Sequence, residues 1–140
     1  MNADKSYNVQ SIAIGVSPEQ AIRYIADPAN LPKWTKAFQS VNGGRAVMAT
    51  PAGSVEVELR VDASAETGVI DWTMVFPDNT RARAFSRVIG ATVDWSLYIF
   101  ALTAPPTALE NLEGALSQQE HTLREELVLL KTILERESAK

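Results

Sequence analysis

The sequence predicts an α+β domain spanning residues 1–140, with a curved antiparallel sheet of about six strands wrapped around one long C-terminal helix. Three observations carry this. Val55, Val57, Leu59 and Val61 alternate with Glu56, Glu58, Arg60 and Asp62, the period-two pattern of a strand with one face covered and one in water. Leu109, Leu112, Leu116, Leu123, Leu127, Leu130 and Leu134 fall within a narrow arc at 100° per residue, the stripe of an amphipathic helix. Between the first strand and the other strands lies SPEQAIRYIADPANLPKW, a capped helix, a proline-broken corner and a second helical turn ending in Trp34.

Residues Ser6 to Ile14 alternate loosely without a helical stripe and read as the first strand. Ser17 precedes Pro18 as an N-cap and N1 pair, and Gln20 completes a capping box. Ala21, Ile22, Tyr24 and Ile25 make one apolar face. Pro28 ends that helix because it has no amide hydrogen and restricts Asp27 before it. Leu31, Trp34 and Phe38 then recur at helical spacing. The period changes to two from Arg45, with Pro51-Ala52-Gly53 turning one strand into the next. A further strand runs from about Val69 to Phe76, with Ile70, Trp72, Met74 and Phe76 on one face. Arg81 to Val88 and Thr92 to Ala101 form another pair turned at Gly90, and Pro105-Pro106 open the long helix, which extends to about Glu135.

Composition narrows the function. The charge of −4 argues against a phosphate-backbone binder, so no nucleic-acid partner is expected. No apolar run approaches the ~18 residues of a membrane span. The polar start MNADKSYNVQ lacks the apolar core of a secretory signal and points to the cytoplasm. With no cysteine and one histidine, neither a disulfide framework nor a thiol nucleophile is available. No metal site or cofactor is expected. His121 lies opposite the leucine stripe and should face water.

The order of these elements resembles the START-like helix-grip superfamily (SRPBCC), and within it the bacterial polyketide cyclase/dehydrase and lipid-transport family. The residues that carry the resemblance are SPEQAIRYIADPANLPKW, VIDWTMVF and RARAFSRV. It extends over nearly the whole chain and implies a cavity for a small hydrophobic molecule. It brings no shared catalytic motif, because the scaffold serves carriers and aromatase/cyclases alike.

Inside such a grip, the concave face would carry Val57, Leu59, Ile70, Trp72, Met74, Val93, Trp95 and Leu97. The strand at 81–88 admits two registers. Turning Arg81, Arg83, Phe85 and Arg87 inward would bury unpaired arginines, so Ala82, Ala84 and Ser86 are expected inside, leaving a gap beside the tryptophans. The outward arginines would form a basic row able to pair with Glu56, Glu58 and Asp62. Candidate ligand-binding residues are therefore Trp72, Met74, Trp95, Leu97, Ala84, Leu59, Glu120 and Trp34. Buried tryptophans need a partner for the indole N–H, and either core packing or stacking on a planar ligand accounts for them. Gln119 and Glu120 interrupt the leucine stripe, either because the helix passes the sheet edge there or because a carboxyl faces the cavity. Leucines in excess of what a small sheet covers suggest a homodimer through the C-terminal helix. The functional expectation is binding of a small hydrophobic or aromatic metabolite. The alternative is a polyketide cyclase/aromatase-like enzyme acting on an apolar substrate.

Overall fold

A computed structural model describes residues 7–50, 53–90, 92–103 and 109–138. Strand β1 (Tyr7–Ile14) leads into helix α1 (Pro18–Ile25), a 3₁₀ turn (Pro28–Asn30) and helix α2 (Leu31–Trp34). Strands β2 (Phe38–Asn42), β3 (Arg45–Thr50), β4 (Gly53–Ala63), β5 (Val69–Val75), β6 (Arg81–Gly90) and β7 (Ser96–Thr103) follow, then helix α3 (Leu109–Ser138). The strands form one antiparallel sheet in the order β1-β7-β6-β5-β4-β3-β2. Because the last strand pairs with the first, the meander folds back on itself and α3 lies against β1 and α2.

The sheet has seven strands where about six were expected. The addition is β2, whose Phe38 continues the helical spacing of Leu31 and Trp34 but lies in a strand paired to β3. Thr35 is already extended, with ψ at 151°, so the helical register ends at Trp34.

The corner before β2 is built by side-chain capping. Ser17 Oγ accepts the Gln20 N–H at 3.2 Å, and Asp27 Oδ1 accepts the Ala29 N–H at 3.0 Å. Asn30 donates to the Tyr24 carbonyl at 2.9 Å, and the Thr35 hydroxyl donates to the Leu31 carbonyl at 2.7 Å. These bonds fix the α1–α2 angle and hold Trp34 over the sheet, 2% exposed.

The core lies between the concave sheet face, α1–α2 and the second half of α3. Leu123, Leu127, Leu130 and Leu134 are buried as the stripe requires. Leu109, Leu112, Leu116, Gln119, Pro105 and Pro106 fall outside the residues described at side-chain level, as do Pro51 and Ala52 of the hairpin turn. His121 is exposed and pairs with Glu125 one helical turn on. Val128 and Leu129 face outward at 52% and 44% exposure.

In β6 the expected register is observed. Ala84 and Ser86 are buried, while Arg81, Arg83 and Arg87 are exposed. The basic row does not meet the acidic row of β4, because β5 lies between them. Glu56 instead pairs with Arg45 of β3, Arg83 stacks on Phe85, and Arg87 donates to the Thr67 carbonyl.

The phase of β7 is the main departure from the sequence reading. Val93 and Trp95 precede the strand, at 81% and 42% exposure. Leu97 opposes the exposed Ala13 and Ile89 on the convex face. The inward residues are Ser96, Tyr98, Phe100 and Leu102, which pair with Gly90, Val88, Ser86 and Ala84. WSLYIFAL is apolar at both parities, so periodicity does not choose the buried face, and a shift of one residue exchanges the two.

Candidate functional site

The concave face leaves a narrow cleft of about 50 Å³ between the sheet, the α2 corner and α3. Trp72 and Met74 of β5, Ala84 of β6 and Phe100 of β7 form its floor. Leu31, Trp34, Thr35 and Phe38 form one wall, and Leu123 and Glu126 of α3 the other. The cleft exists because a small residue faces a large one. Trp72 pairs with Ala84 across the β5–β6 ladder, and its ring tilts against Phe100 at a centroid distance of 5.9 Å.

Of the expected ligand-binding residues, Trp34, Trp72, Met74 and Ala84 come together here. Leu59 is buried beside Met74 across the β4–β5 ladder but does not line the cleft. Leu97 stands on the other side of the sheet because of the phase of β7, and Trp95, which precedes the strand, is exposed and does not line the cleft. For Glu120 the first of the two alternatives holds, with the helix passing the sheet edge. Its side chain is exposed, and its carbonyl accepts from Gln10 Nε2 at 2.8 Å, so this part of α3 runs beside the sheet edge.

The carboxyl that does face the cleft is Glu126, which the sequence reading missed. Its Oε2 accepts the Lys36 backbone N–H at 2.6 Å. Burial pushes its pKa above the ordinary value of 4.5, against the lowering pull of that hydrogen bond and of the Lys36 charge. Neighbouring Glu125 is held below 4.5 by its bond to the Lys36 ammonium, at 2.8 Å. Periodicity offers little to find it by, because at 100° per residue Glu126 falls outside one flank of the leucine arc, as Glu120 does outside the other.

Two residues that line the cleft carry a further polar group each. The indole N–H groups of Trp34 and Trp72 are buried and have no hydrogen-bond partner. Among the described residues, no group of three His, Cys, Asp or Glu side chains is placed to hold a metal ion, and no helix is long and apolar enough to cross a membrane.

The chain has a helix-grip fold, similar to that of solved START-type structures. A START superfamily protein from Mycobacterium smegmatis superposes with a TM-score of 0.65, covering 94% of this chain and 98% of that one at 14% identity. The Zhui aromatase/cyclase from Streptomyces sp. R1128 superposes at 0.66, covering 93% of each chain at 10% identity. The protein XoxI from Bacillus cereus superposes at 0.68, covering 92% and 95% at 20% identity. No protein-family model matches the sequence, and no curated protein matches it significantly.

Proposed function

We propose that this protein binds a small hydrophobic or aromatic molecule between α3 and the concave sheet face. Trp72, Met74, Ala84 and Trp34 form the seat, and Leu59 backs it from the core. The carrying observation is the pairing of Trp72 with Ala84 beneath α3, which leaves apolar space beside an aromatic ring. The likeness to START and aromatase/cyclase structures supports the reading. A cleft of about 50 Å³ holds only a few atoms, whereas metabolite pockets run to about 300–1,000 Å³. Binding therefore includes an outward movement of α3 from the α2 corner, and lipid carriage would need a larger one.

A second reading, catalysis on a bound apolar or polyketide substrate, draws on Glu126, a carboxyl with raised pKa in an apolar cleft. Turnover of a ligand recovered from the protein, lost in Glu126→Gln with binding kept, would establish it.

The binding reading is tested by titrating the protein with toluene while following the methyl resonances of Met74 and Ala84. Saturable shifts confined to cleft residues, and lost in Ala84→Val, are expected. That substitution adds two methyl groups to the floor, roughly the volume of the cleft. Shifts spread over the surface without saturation would overturn the proposal.

A further inference from the structure

The cleft is apolar along most of its lining, yet besides Thr35, whose hydroxyl is engaged by the Leu31 carbonyl, three of its residues carry polar groups. Five buried side-chain polar atoms among the described residues lack a hydrogen-bond partner, on Asn8, Tyr24, Trp34, Trp72 and Tyr98. Two of these residues, Trp34 at 2% exposure and Trp72 at 3%, line the cleft. An indole nitrogen is a donor only, so each of the two offers one N–H and accepts nothing. A buried donor left unpaired is destabilising, and an acceptor on a ligand would offset that. The third group is Glu126, whose Oε2 is engaged by the Lys36 N–H and which makes no second hydrogen bond among the described residues.

We propose that Trp34, Trp72 and Glu126 form the polar end of the cleft and select an uncharged, carbonyl-bearing aromatic molecule over a carboxylate. This rests on the reading that the cleft takes an apolar ligand.

The selection follows from the charges. Two N–H donors suit a carbonyl oxygen, which has two lone pairs. A ligand carboxylate would satisfy the donors equally well but would bring a second negative charge beside Glu126 in surroundings of low dielectric. The Lys36 ammonium acts on Glu126 but pairs with Glu125 at an exposed position, so it offsets only part of that repulsion. An ammonium ligand would meet Glu126 favourably but would oppose two N–H dipoles. A neutral carbonyl meets neither difficulty, and it gains a third donor when Glu126 is protonated.

The experiment compares acetophenone, ethylbenzene and benzoate, three molecules with one ring and different polar ends, by ¹H–¹⁵N spectra of the indole N–H groups. Acetophenone is expected to move the Trp34 and Trp72 signals saturably, to leave Trp95 unmoved, and to bind about tenfold tighter than ethylbenzene. Trp34→Phe and Trp72→Phe, which keep a ring and delete the N–H, should each weaken acetophenone about 3- to 10-fold and leave ethylbenzene unchanged. Benzoate should fail to saturate the wild-type protein at pH 7 and should bind to Glu126→Gln, which keeps an oxygen for the Lys36 N–H.

Equal binding of acetophenone and ethylbenzene with unmoved indole signals would overturn the polar end while leaving the cleft as a binding site. Benzoate binding to the wild type as well as acetophenone, or excluded from Glu126→Gln as from the wild type, would overturn the role given to Glu126. Failure of all three to saturate would remove the binding reading beneath the proposal.

Discussion

Lys36 donates its backbone N–H to Glu126 Oε2 at 2.6 Å across 90 residues of sequence, while its ammonium holds Glu125 Oε2 at 2.8 Å. One residue just before β2 thus grips two successive carboxylates of α3. The two bonds differ in kind. The Glu125 contact is an exposed ion pair, a class that contributes little to stability. The Glu126 contact is a charge-assisted bond at the edge of an apolar cleft, where losing the acceptor would leave an amide unpaired.

Glu126 makes stability depend on pH in the less common direction. Its folded pKa is raised, so the folded state holds this proton more tightly than the unfolded state. The contribution is fully present below the ordinary value of 4.5, and it is lost as pH rises from there through the folded pKa. Glu126→Gln should remove that loss while keeping an acceptor for the Lys36 N–H. In urea titrations at pH 4, 5, 6 and 7, the variant should gain stability relative to wild type as pH rises. A difference that stays flat or reverses would show that the ionised carboxylate is well accommodated.

The contrast between Glu126 and Glu120 shows what the sequence made legible. Both carboxyls lie on one helix, and a wheel places them on opposite flanks of the leucine arc, Glu120 somewhat nearer its centre, so periodicity alone does not say which one faces the cleft. Which turn of α3 meets the α2 corner depends on the length and capping of that corner, a tertiary quantity that no period encodes. Strand β6 was readable because one parity would bury arginines, a cost large enough to decide. Strand β7 was not, because both parities of WSLYIFAL are apolar and the choice falls to its pairing with β1 and β6. Strand β2 was hidden because Phe38 fits a helical spacing as well as an extended one.

Gly68 gives a prediction about the sheet itself. Its φ is +79°, and a Cβ there would lie 2.1 Å from the Val88 carbonyl oxygen, a backbone atom with no rotamer to yield. The Gly68 carbonyl accepts the Val88 N–H at 2.8 Å, so this close approach is part of how the turn before β5 docks on β6. Gly68→Ala should cost roughly 3 kcal/mol by combining a left-handed backbone with a clash. Chemical denaturation checks this, and a loss below about 1 kcal/mol would mean that the turn relaxes without disturbing β6.

Glu135 ties the end of α3 to the turn after β1. Its Oε2 accepts from Lys131 Nζ at 2.6 Å and from the Gly15 N–H at 2.7 Å, and Lys131 also donates to the Ala13 carbonyl at 3.0 Å. The Lys131 bond first, and then the Gly15 bond, hold the carboxyl below its ordinary 4.5. The folded pKa is depressed, so this stabilisation is present above the unfolded value and fades as pH falls through the folded one. Glu135→Ala should cost about 1 kcal/mol at pH 7, since the group is partly exposed and water replaces some of what is lost. The cost should shrink below pH 4. Amide hydrogen exchange at Gly15 should quicken in the variant at neutral pH, and an unchanged rate would place the restraint on Gly15 elsewhere.

The tryptophans supply the sharpest contrast. Trp72 is 3% exposed, lies against Phe100 and faces Ala84, so Trp72→Ala empties a ring-sized volume and should cost roughly 3–5 kcal/mol. Trp95 is 42% exposed in the turn before β7, and Trp95→Ala should change stability by less than about 1 kcal/mol. Fluorescence separates them independently of stability. Iodide should quench the Trp95 emission and leave that of Trp34 and Trp72 nearly untouched, so the wild type should retain most of its signal and Trp95→Ala should lose its quenchable fraction. Had the inward parity of β7 been the one that places Trp95 and Leu97 over the core, Trp95→Ala would be as costly as Trp72→Ala and the emission would resist iodide throughout.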